Sequence, residues 1–515
     1  MSEVNEVLAR VLAAGVGEVV VCGGARNAEM IAALVAHEGV RVWRHFEERG
    51  AAFFAMGRSR DSGQPCAVVV TSGTAVAECL PAVVEAFYQN RPLVVISADR
   101  PEKFKGSGAP QVIDQAGIFR EYAEAGETWS GRGPWHVNVA VEEDEKVDLA
   151  GVEIGAFLAE RSKFSVAGLA QFLREDIYKG LVVMVGGLED GEREEVFYFL
   201  KDLGAPVVAD ATSGLREALG AQVMVGADSY LRQNPPGKIL RLGEVPVGRF
   251  WRDLEDLPQV EVFSVCRNGL SGLGRGGEVV RGEVNRVVKG MGQVDAIGDV
   301  RDDLVKAAQL RGRLDELLES FPDSEPALVR ILSVYATVGE SVFLGNSLPI
   351  REWQDFGQHE VAYGRVLASR GANGIDGQLS AWLGATADEE GAWGVFGDLT
   401  SLYDLTAPAF LKQVEGKGRV LVVINNDGGR IFDRLPRLEG MTEAQKEAVV
   451  QGQGVDFGQW AAMWGMDYLL VEESDDFDRL EAGEKTLMVE LRPINAESDL
   501  FWKAWKNCQE KVAQA

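Results

Sequence analysis

The sequence predicts an α/β protein of three domains, each built on a doubly wound parallel sheet, and three observations lead there. Its 515 residues are enough for roughly three domains of ordinary size. Aliphatic runs such as "VLVVI" at 420–424 recur along the chain; they are too apolar for strands with one wet face and are typical of a parallel sheet covered on both sides. Helix-patterned segments lie between these runs, and several runs stop on Gly, Asn, Asp or Ser. In open α/β sheets, ligands gather beyond the carboxyl ends of such strands.

Composition narrows the function classes. With 52 basic and 79 acidic residues the formal net charge is −27, which disfavours a nucleic-acid partner. No apolar run approaches the roughly 20 residues of a membrane span, and "MSEVNEVLARVLAAG" reads as an acidic amphipathic helix, not a targeting segment. The expectation is a soluble, cytoplasmic protein. Five cysteines (Cys22, Cys66, Cys79, Cys266, Cys508) are scattered without C-x-x-C spacing and read as small buried hydrophobes. Only four histidines are present, far apart in sequence, so a His-rich metal site or a Ser-His-Asp machine has few parts to draw on. A bound cofactor is the better carrier of the chemistry.

The elements follow in order. Residues 1–163 read as a first domain: "GEVVVCGG" is a strand and turn, "ARNAEMIAALVA" a helix, "RVWRHFEERGAAFFAMGRSRDSG" a strand into a helix, "PCAVVVTSGTAVAECLPAVVEAF" strand, loop and helix, and "RPLVVISADRP" a strand into a polar loop. Residues 164–322 read as a second, with strands at "GLVVMVGG", "APVVADATSG" and "KILRLGEVP"; the acidic helical stretch "RDDLVKAAQLRGRLDELLESFPDSEP" leads onward. Gly186 and Gly187 in "VMVGGLEDG" do not form a dinucleotide fingerprint, and this domain reads as structural. Residues 323–515 form a third domain, with "SVFLGNS", "AWGVFGDL" and "VLVVINNDGG" as strands running into polar ends.

Asp398 and Asn426 end two of these third-domain strands, and "SLYDLTAPAFLKQVEGKG" has the length of the crossover that parallel neighbours require. The two side chains are therefore expected side by side. Mg²⁺, or Mn²⁺, takes oxygen ligands and leaves positions for phosphate and water. Asp398, Asn426 and a carbonyl near Gly428 supply such donors, while Gly397, Gly428 and Gly429 permit close approach of a diphosphate. Gly-Asp, a crossover of this length and a paired asparagine after aliphatics together resemble the thiamine diphosphate motif. One departure is Leu399, where that family often has glycine.

That resemblance implies further roles. Glu48 in "HFEERGAAFFAMG" matches the glutamate that protonates the cofactor's aminopyrimidine ring in decarboxylase-type thiamine enzymes, where it serves a cofactor bound by the third domain of a partner subunit. Burial against an apolar ring raises a carboxyl pKa, which suits proton exchange near neutrality. Ile375 in "ANGIDG" matches the aliphatic wedge under the bent cofactor. Thr71, Ser72, Gly73, Asn373, Gly374, Leu399, Thr400, Ile431 and Phe432 complete the implied cofactor contacts. On this reading the domains are pyrimidine-binding, central and diphosphate-binding.

Blocks across all three domains, including "VVVTSGTAVAECLPAVVEAF", "PLVVISADRP", "GAPQVIDQ", "GNSLPIREW", "ASRGANGIDG" and "NNDGGRIFDRLP", resemble the 2-succinyl-5-enolpyruvyl-6-hydroxy-3-cyclohexene-1-carboxylate synthases of menaquinone biosynthesis. The resemblance implies decarboxylation of 2-oxoglutarate and addition of the succinyl carbanion to isochorismate, in a homodimer or homotetramer with active sites between subunits. Both substrates carry two carboxylates, and a guanidinium grips a carboxylate with two parallel hydrogen bonds. By resemblance Ser347, Arg351 and Arg370, with both arginines expected in loops, hold substrate carboxylates. Arg26 meets isochorismate, and Gln111 lies near the reacting centre. Two departures stand out: "GGARN" replaces the usual "PGSRS", placing Ala25 and Asn27 where hydroxyls are expected, and "SVCRNGLSGLGRGG" lacks the pattern by which the central domain donates a basic residue. The alternative is another thiamine-dependent 2-oxo acid lyase or decarboxylase with a different acceptor.

Overall fold

The computed structural model describes residues 2–142, 145–174, 180–295, 301–435, 438 and 440–514. It contains three parallel sheets, as the strand composition predicts. The first holds Glu18–Cys22 (β1), Arg41–His45 (β2), Cys66–Val70 (β3), Leu93–Asp99 (β4), Glu124–Ala125 (β5) and Trp135–Ala140 (β6), in the order β2-β1-β3-β4-β6-β5. In the second, Leu181–Val185 (β7), Val207–Ala209 (β8), Lys238–Leu242 (β9), Glu261–Cys266 (β10) and Glu278–Arg281 (β11) run β11-β10-β9-β7-β8. The third, Ser341–Leu344 (β12), Arg365–Leu367 (β13), Trp393–Gly397 (β14), Val420–Ile424 (β15), Asp467–Val471 (β16) and Leu487–Leu491 (β17), runs β13-β12-β14-β15-β17-β16. Among the described residues no helix is long and apolar enough to cross a membrane.

Each order doubles back after its second strand, and this first reversal opens a crevice between two strands at their carboxyl ends. The reversals fall between β1 and β3, between β7 and β9, and between β12 and β14. In the second sheet the crevice is filled from within. Glu244 N–H donates to the Gly187 carbonyl (3.1 Å), and a Cβ on Gly186 would stand 2.1 Å from the Glu244 carbonyl oxygen. The first and third sheets carry the polar loops that the sequence marks as ligand-like.

By compactness the chain divides into two units. The first comprises residues 1–160, 369–389 and 399–416; the second comprises 161–368, 390–398 and 417–515. In the first unit, the helix Glu3–Ala13 buries Val4, Val7, Leu8, Val11 and Leu12 against the sheet, as its spacing predicts, and Ser2 caps its start. The helix Glu48–Ser62 is buried along most of its length by the helix Gln378–Ala385. They cross at glycine: a Cβ on Gly57 would lie 2.2 Å from the Ala381 carbonyl oxygen, and one on Gly384 would lie 2.2 Å from that of Phe54. The crossover after β14 is not a single helix. It is helical only over Asp398–Tyr403, because Asp404 turns inward to accept Ser380 N–H (2.8 Å) and Pro408 then starts a separate 3₁₀ segment.

The second unit contains two apolar layers on the second sheet and one core around the third. The acidic helix Arg301–Ser320 is more than a link, since Leu310, Leu314 and Leu318 pack into the second-sheet core. Phe501 and Trp505 of the C-terminal helix Asn495–Gln514 join the same core. All five cysteines are unbridged and four are buried.

Candidate active site

The third-sheet crevice is built where β12, β14 and β15 end together. Gly397 pairs with Ile424 in register, so Asp398 and the pair Asn425-Asn426 leave the sheet as neighbours, as their spacing predicts. Asp398 is buried, and its Oδ2 accepts the Gly428 N–H (2.6 Å). Gly428 has φ +113°, which L side chains rarely adopt, and its Cβ would stand 2.4 Å from the Val450 carbonyl oxygen. The Gly428 carbonyl accepts from Arg430 N–H (2.9 Å), which leaves one lone pair for another partner.

The two asparagines serve different ends. Asn425 Nδ2 donates to the Val455 carbonyl (3.0 Å) and to Glu490 Oε1 (2.6 Å), tying the strand end to its neighbours. Asn426 Nδ2 donates to both carboxyl oxygens of Glu325, each at 2.9 Å. Its Oδ1 is buried and has no hydrogen-bond partner among the described residues. An unsatisfied buried oxygen costs about 1–3 kcal/mol, so its persistence points to a ligand. No group of three His, Cys, Asp or Glu among the described residues is arranged to hold a metal. The donors here are instead one carboxylate, one amide oxygen and one carbonyl, the oxygen set that a hard divalent cation takes.

Behind Asn426 lies a fully buried pair that the sequence reading missed. Glu325 opens the helix Glu325–Tyr335, and Glu352 lies on the helix Leu348–Phe356. Burial and the neighbouring Glu325 push the Glu352 carboxyl well above the usual range; burial also raises Glu325, while the adjacent Glu352 and the hydrogen bonds from Asn426 pull it down. Nothing in "SEPALVR" distinguishes Glu325 from an ordinary first-turn acid.

Ser347 and Arg351 stand at the other side of this crevice. Ser347 caps the helix Leu348–Phe356 with φ +74°, and Arg351 donates to its carbonyl. Arg351 is thus on the first turn of a helix and not in a loop, because Pro349 favours helix initiation directly after the strand end. Gly429 leads into the 3₁₀ turn Arg430–Arg434, which presents a half-buried Ile431 and an exposed Phe432.

The first unit gathers the other expected residues. At the β1/β3 reversal, Thr71 and Ser72 are buried and Ser72 Oγ has no hydrogen-bond partner among the described residues. Gly73 N–H donates to Gln115 Oε1 (3.1 Å), and the Gln111 backbone, at φ +57°, comes against Gly73. Arg26 donates to the Val141 carbonyl (2.9 Å). Asn27 is fully buried and spends its amide on the turn: Oδ1 accepts Gly24 N–H and Nδ2 donates to the Cys22 carbonyl, both at 2.9 Å. It is a structural substitution in the loop, whereas Ala25 is exposed.

Glu48 opens its helix half-buried. The capping is done by Glu47, which accepts from Arg49 N–H (3.0 Å) and Gly50 N–H (2.8 Å). Burial is the main reason that the Glu48 carboxyl titrates above its usual range; a backbone hydrogen bond opposes this, and repulsion from Glu47 and Glu78 adds to it. The segment carrying Arg370, Asn373, Gly374 and Ile375 belongs to the same unit. It is gripped by Glu85, also unread in the sequence, which accepts the backbone N–H groups of Gly371 (2.6 Å), Ala372 (2.7 Å) and Asn373 (3.2 Å). Arg370 is buried, Ile375 half-buried and Thr400 buried, while Leu399 is half-buried. Arg370 and Arg351 fall in different units.

Comparison with known proteins identifies the family. Residues 2–118 match the family model for the thiamine pyrophosphate enzyme, N-terminal TPP binding domain. The 2-succinyl-5-enolpyruvyl-6-hydroxy-3-cyclohexene-1-carboxylate synthase of Akkermansia muciniphila is 44% identical, over 99% of each chain. The chain belongs to the 2-succinyl-5-enolpyruvyl-6-hydroxy-3-cyclohexene-1-carboxylate synthase family. A second synthase, from Bdellovibrio bacteriovorus, is 36% identical over 97% of each chain. A protein of known crystal structure from Mycobacterium smegmatis shares the fold, with TM-score 0.68 and 15% identity, covering 95% of this chain and 98% of that one. As a synthase of this family, the chain is a thiamine diphosphate-dependent enzyme.

Proposed function

We propose that this synthase binds thiamine diphosphate through a divalent cation, Mg²⁺ or Mn²⁺, held by Asp398, Asn426 and the Gly428 carbonyl, and uses Glu48 as its activating acid. The reaction is decarboxylation of 2-oxoglutarate with addition of the remaining succinyl unit to isochorismate. When bound, the cofactor supplies the reactive carbon and the electron sink for loss of CO₂. The carrying observation is Asn426 Oδ1, a buried oxygen with no partner among the described residues beside the buried Asp398 carboxylate.

The protein's own groups do the rest. Glu48, with its raised pKa, gives and takes a proton at the aminopyrimidine ring. Gly397, Leu399, Thr400, Gly429, Ile431 and Phe432 receive the diphosphate side; Thr71, Ser72, Gly73, Asn373, Gly374 and Ile375 receive the ring side. Ser347, Arg351 and Arg370 take substrate carboxylates, Arg26 meets isochorismate and Gln111 stands near the reacting carbon. The active sites are completed by a second copy of the chain. The test is an assay with 2-oxoglutarate, with and without isochorismate, thiamine diphosphate and Mg²⁺, with the product identified by mass. The expected result is a product that requires all four. A product formed from pyruvate as readily as from 2-oxoglutarate would favour a broader thiamine lyase.

A further inference from the structure

We propose that Glu325 is a positioning residue of the metal site, which fixes the side-chain amide of Asn426 so that its oxygen, and not its NH₂ group, faces the cation. The inference rests on the reading of Asp398 and Asn426 as cation ligands, and it assigns a task to a residue that touches neither cation nor substrate.

An asparagine amide is nearly symmetric in shape, with oxygen and nitrogen interchangeable by a half turn about the terminal bond. For a cation ligand the two orientations are opposite in effect, since one presents a lone pair and the other two N–H dipoles. A residue in this position needs a partner that separates them. Glu325 does so by placing both carboxyl oxygens 2.9 Å from Asn426 Nδ2. The reverse orientation would set the amide oxygen against two carboxyl oxygens. It would also withdraw Oδ1 from the buried position where it has no partner among the described residues.

The rest of Asn426 is pinned as well. Its backbone carbonyl accepts from Arg430 Nε and from Asn495 Nδ2, both at 3.0 Å. With the carbonyl and the NH₂ group engaged, Oδ1 is the one acceptor left for a ligand. Glu325 is itself held: Ser324 caps its helix, its N–H donates to Ser498 Oγ (2.9 Å), and it is 1% exposed. A carboxyl is costly to bury at such depth, and a hydrophobic residue would fill the same space. Its presence is explained by what it does to the amide, as outer partners orient metal-binding side chains elsewhere.

The test is Mn²⁺ titration of the full-length protein with saturating thiamine diphosphate, by calorimetry and by electron paramagnetic resonance of free Mn²⁺. Glu325→Ala is expected to weaken Mn²⁺ about 10–100-fold, the usual effect of losing an outer-shell partner. Glu325→Gln retains an acceptor oxygen but adds an NH₂ group that can pair with the wrong amide orientation, and its affinity is expected between wild type and Ala. It also serves if the Ala variant fails to fold. Asp398→Asn is the control for the site itself. If Asp398→Asn loses Mn²⁺ while Gln and any folded Ala variant bind it as the wild type does, the role of Glu325 is overturned and the site reading stands. A lowered melting temperature with unchanged Mn²⁺ affinity would likewise overturn it, by showing a purely structural role. If Asp398→Asn binds Mn²⁺ as the wild type does, the site reading falls and this inference with it.

Discussion

Glu47 and Glu48 are adjacent and chemically alike, yet the first spends its carboxylate on two backbone N–H groups and the second has a pKa raised by burial. Asn425 and Asn426 divide in the same way, one fastening the strand end and one leaving a buried oxygen without a partner among the described residues. In each doublet the inner fastening holds the outer group in place. Asp398→Ala is therefore expected to abolish tight cofactor binding, with calorimetry of thiamine diphosphate in Mg²⁺ as the check. Glu48→Gln keeps size and hydrogen bonding but moves no proton, so the cofactor should bind while hydrogen–deuterium exchange at its thiazolium carbon slows by roughly 10² or more. Arg370→Ala removes a buried guanidinium, and losing a desolvated bidentate pair costs about 2–5 kcal/mol. Steady-state kinetics should show a loss of roughly 10² or more in kcat/KM for 2-oxoglutarate or isochorismate, with cofactor affinity changed far less.

The helix that begins at Glu48 can be buried so deeply because it is rich in small residues where it meets Gln378–Ala385. Both Gly57 and Gly384 bring a helix backbone against its neighbour's carbonyl, at separations where a Cβ fits only if the helices part. Gly57→Ala is expected to destabilise the protein by about 1–3 kcal/mol through overpacking, seen as a lower unfolding midpoint in denaturant. Because the crossing anchors the start of the same helix, the sign opposes the usual gain in helix propensity on replacing glycine with alanine. At the ends of β12, β14 and β15 the polar residues cluster for an elementary reason. Parallel strands in register deliver every carboxyl end to one edge, and the order reversal separates the loops enough to admit a ligand.

At the scale of the molecule, the formal net charge of −27 means that the proposed site for anionic substrates depends on locally placed arginines. Burial holds both His136 and His359 below the usual imidazole range, and His136 shows what that does to the stability of the chain. His136 on β6 is 3% exposed, stands 2.8 Å from Ser97 Oγ, and has its pKa lowered to about 4 by burial. The unfolded chain binds this proton near 6.5, so between about pH 6.5 and 4 the unfolded state holds more protons and stability falls as pH falls. The full effect is about 3 kcal/mol and is complete below about pH 4. In His136→Asn the melting temperature should depend less steeply on pH across that window.

The sequence by itself determined the parallel-sheet class, the cofactor chemistry and the strand-end positions of Asp398, Asn426 and Glu48. The sheet class and the neighbouring places of Asp398 and Asn426 rest on a local pattern, an aliphatic run and a crossover length, whereas the cofactor and Glu48 rest on a family resemblance carried by short motifs. Tertiary structure alone showed what the other member of each doublet does, Glu47 capping a helix and Asn425 fastening a strand end, and that Asn27 turns inward. It also placed Glu325 behind Asn426, Glu85 behind the Arg370–Ile375 segment, and the C-terminal helix in the second-sheet core. Those are contacts between residues far apart in the chain, 101 positions for Glu325 and Asn426 and 286 to 288 for Glu85 and the segment it holds. A carboxyl buried to orient an amide has the same letter as one solvated on a helix surface, and only the packing around it tells them apart.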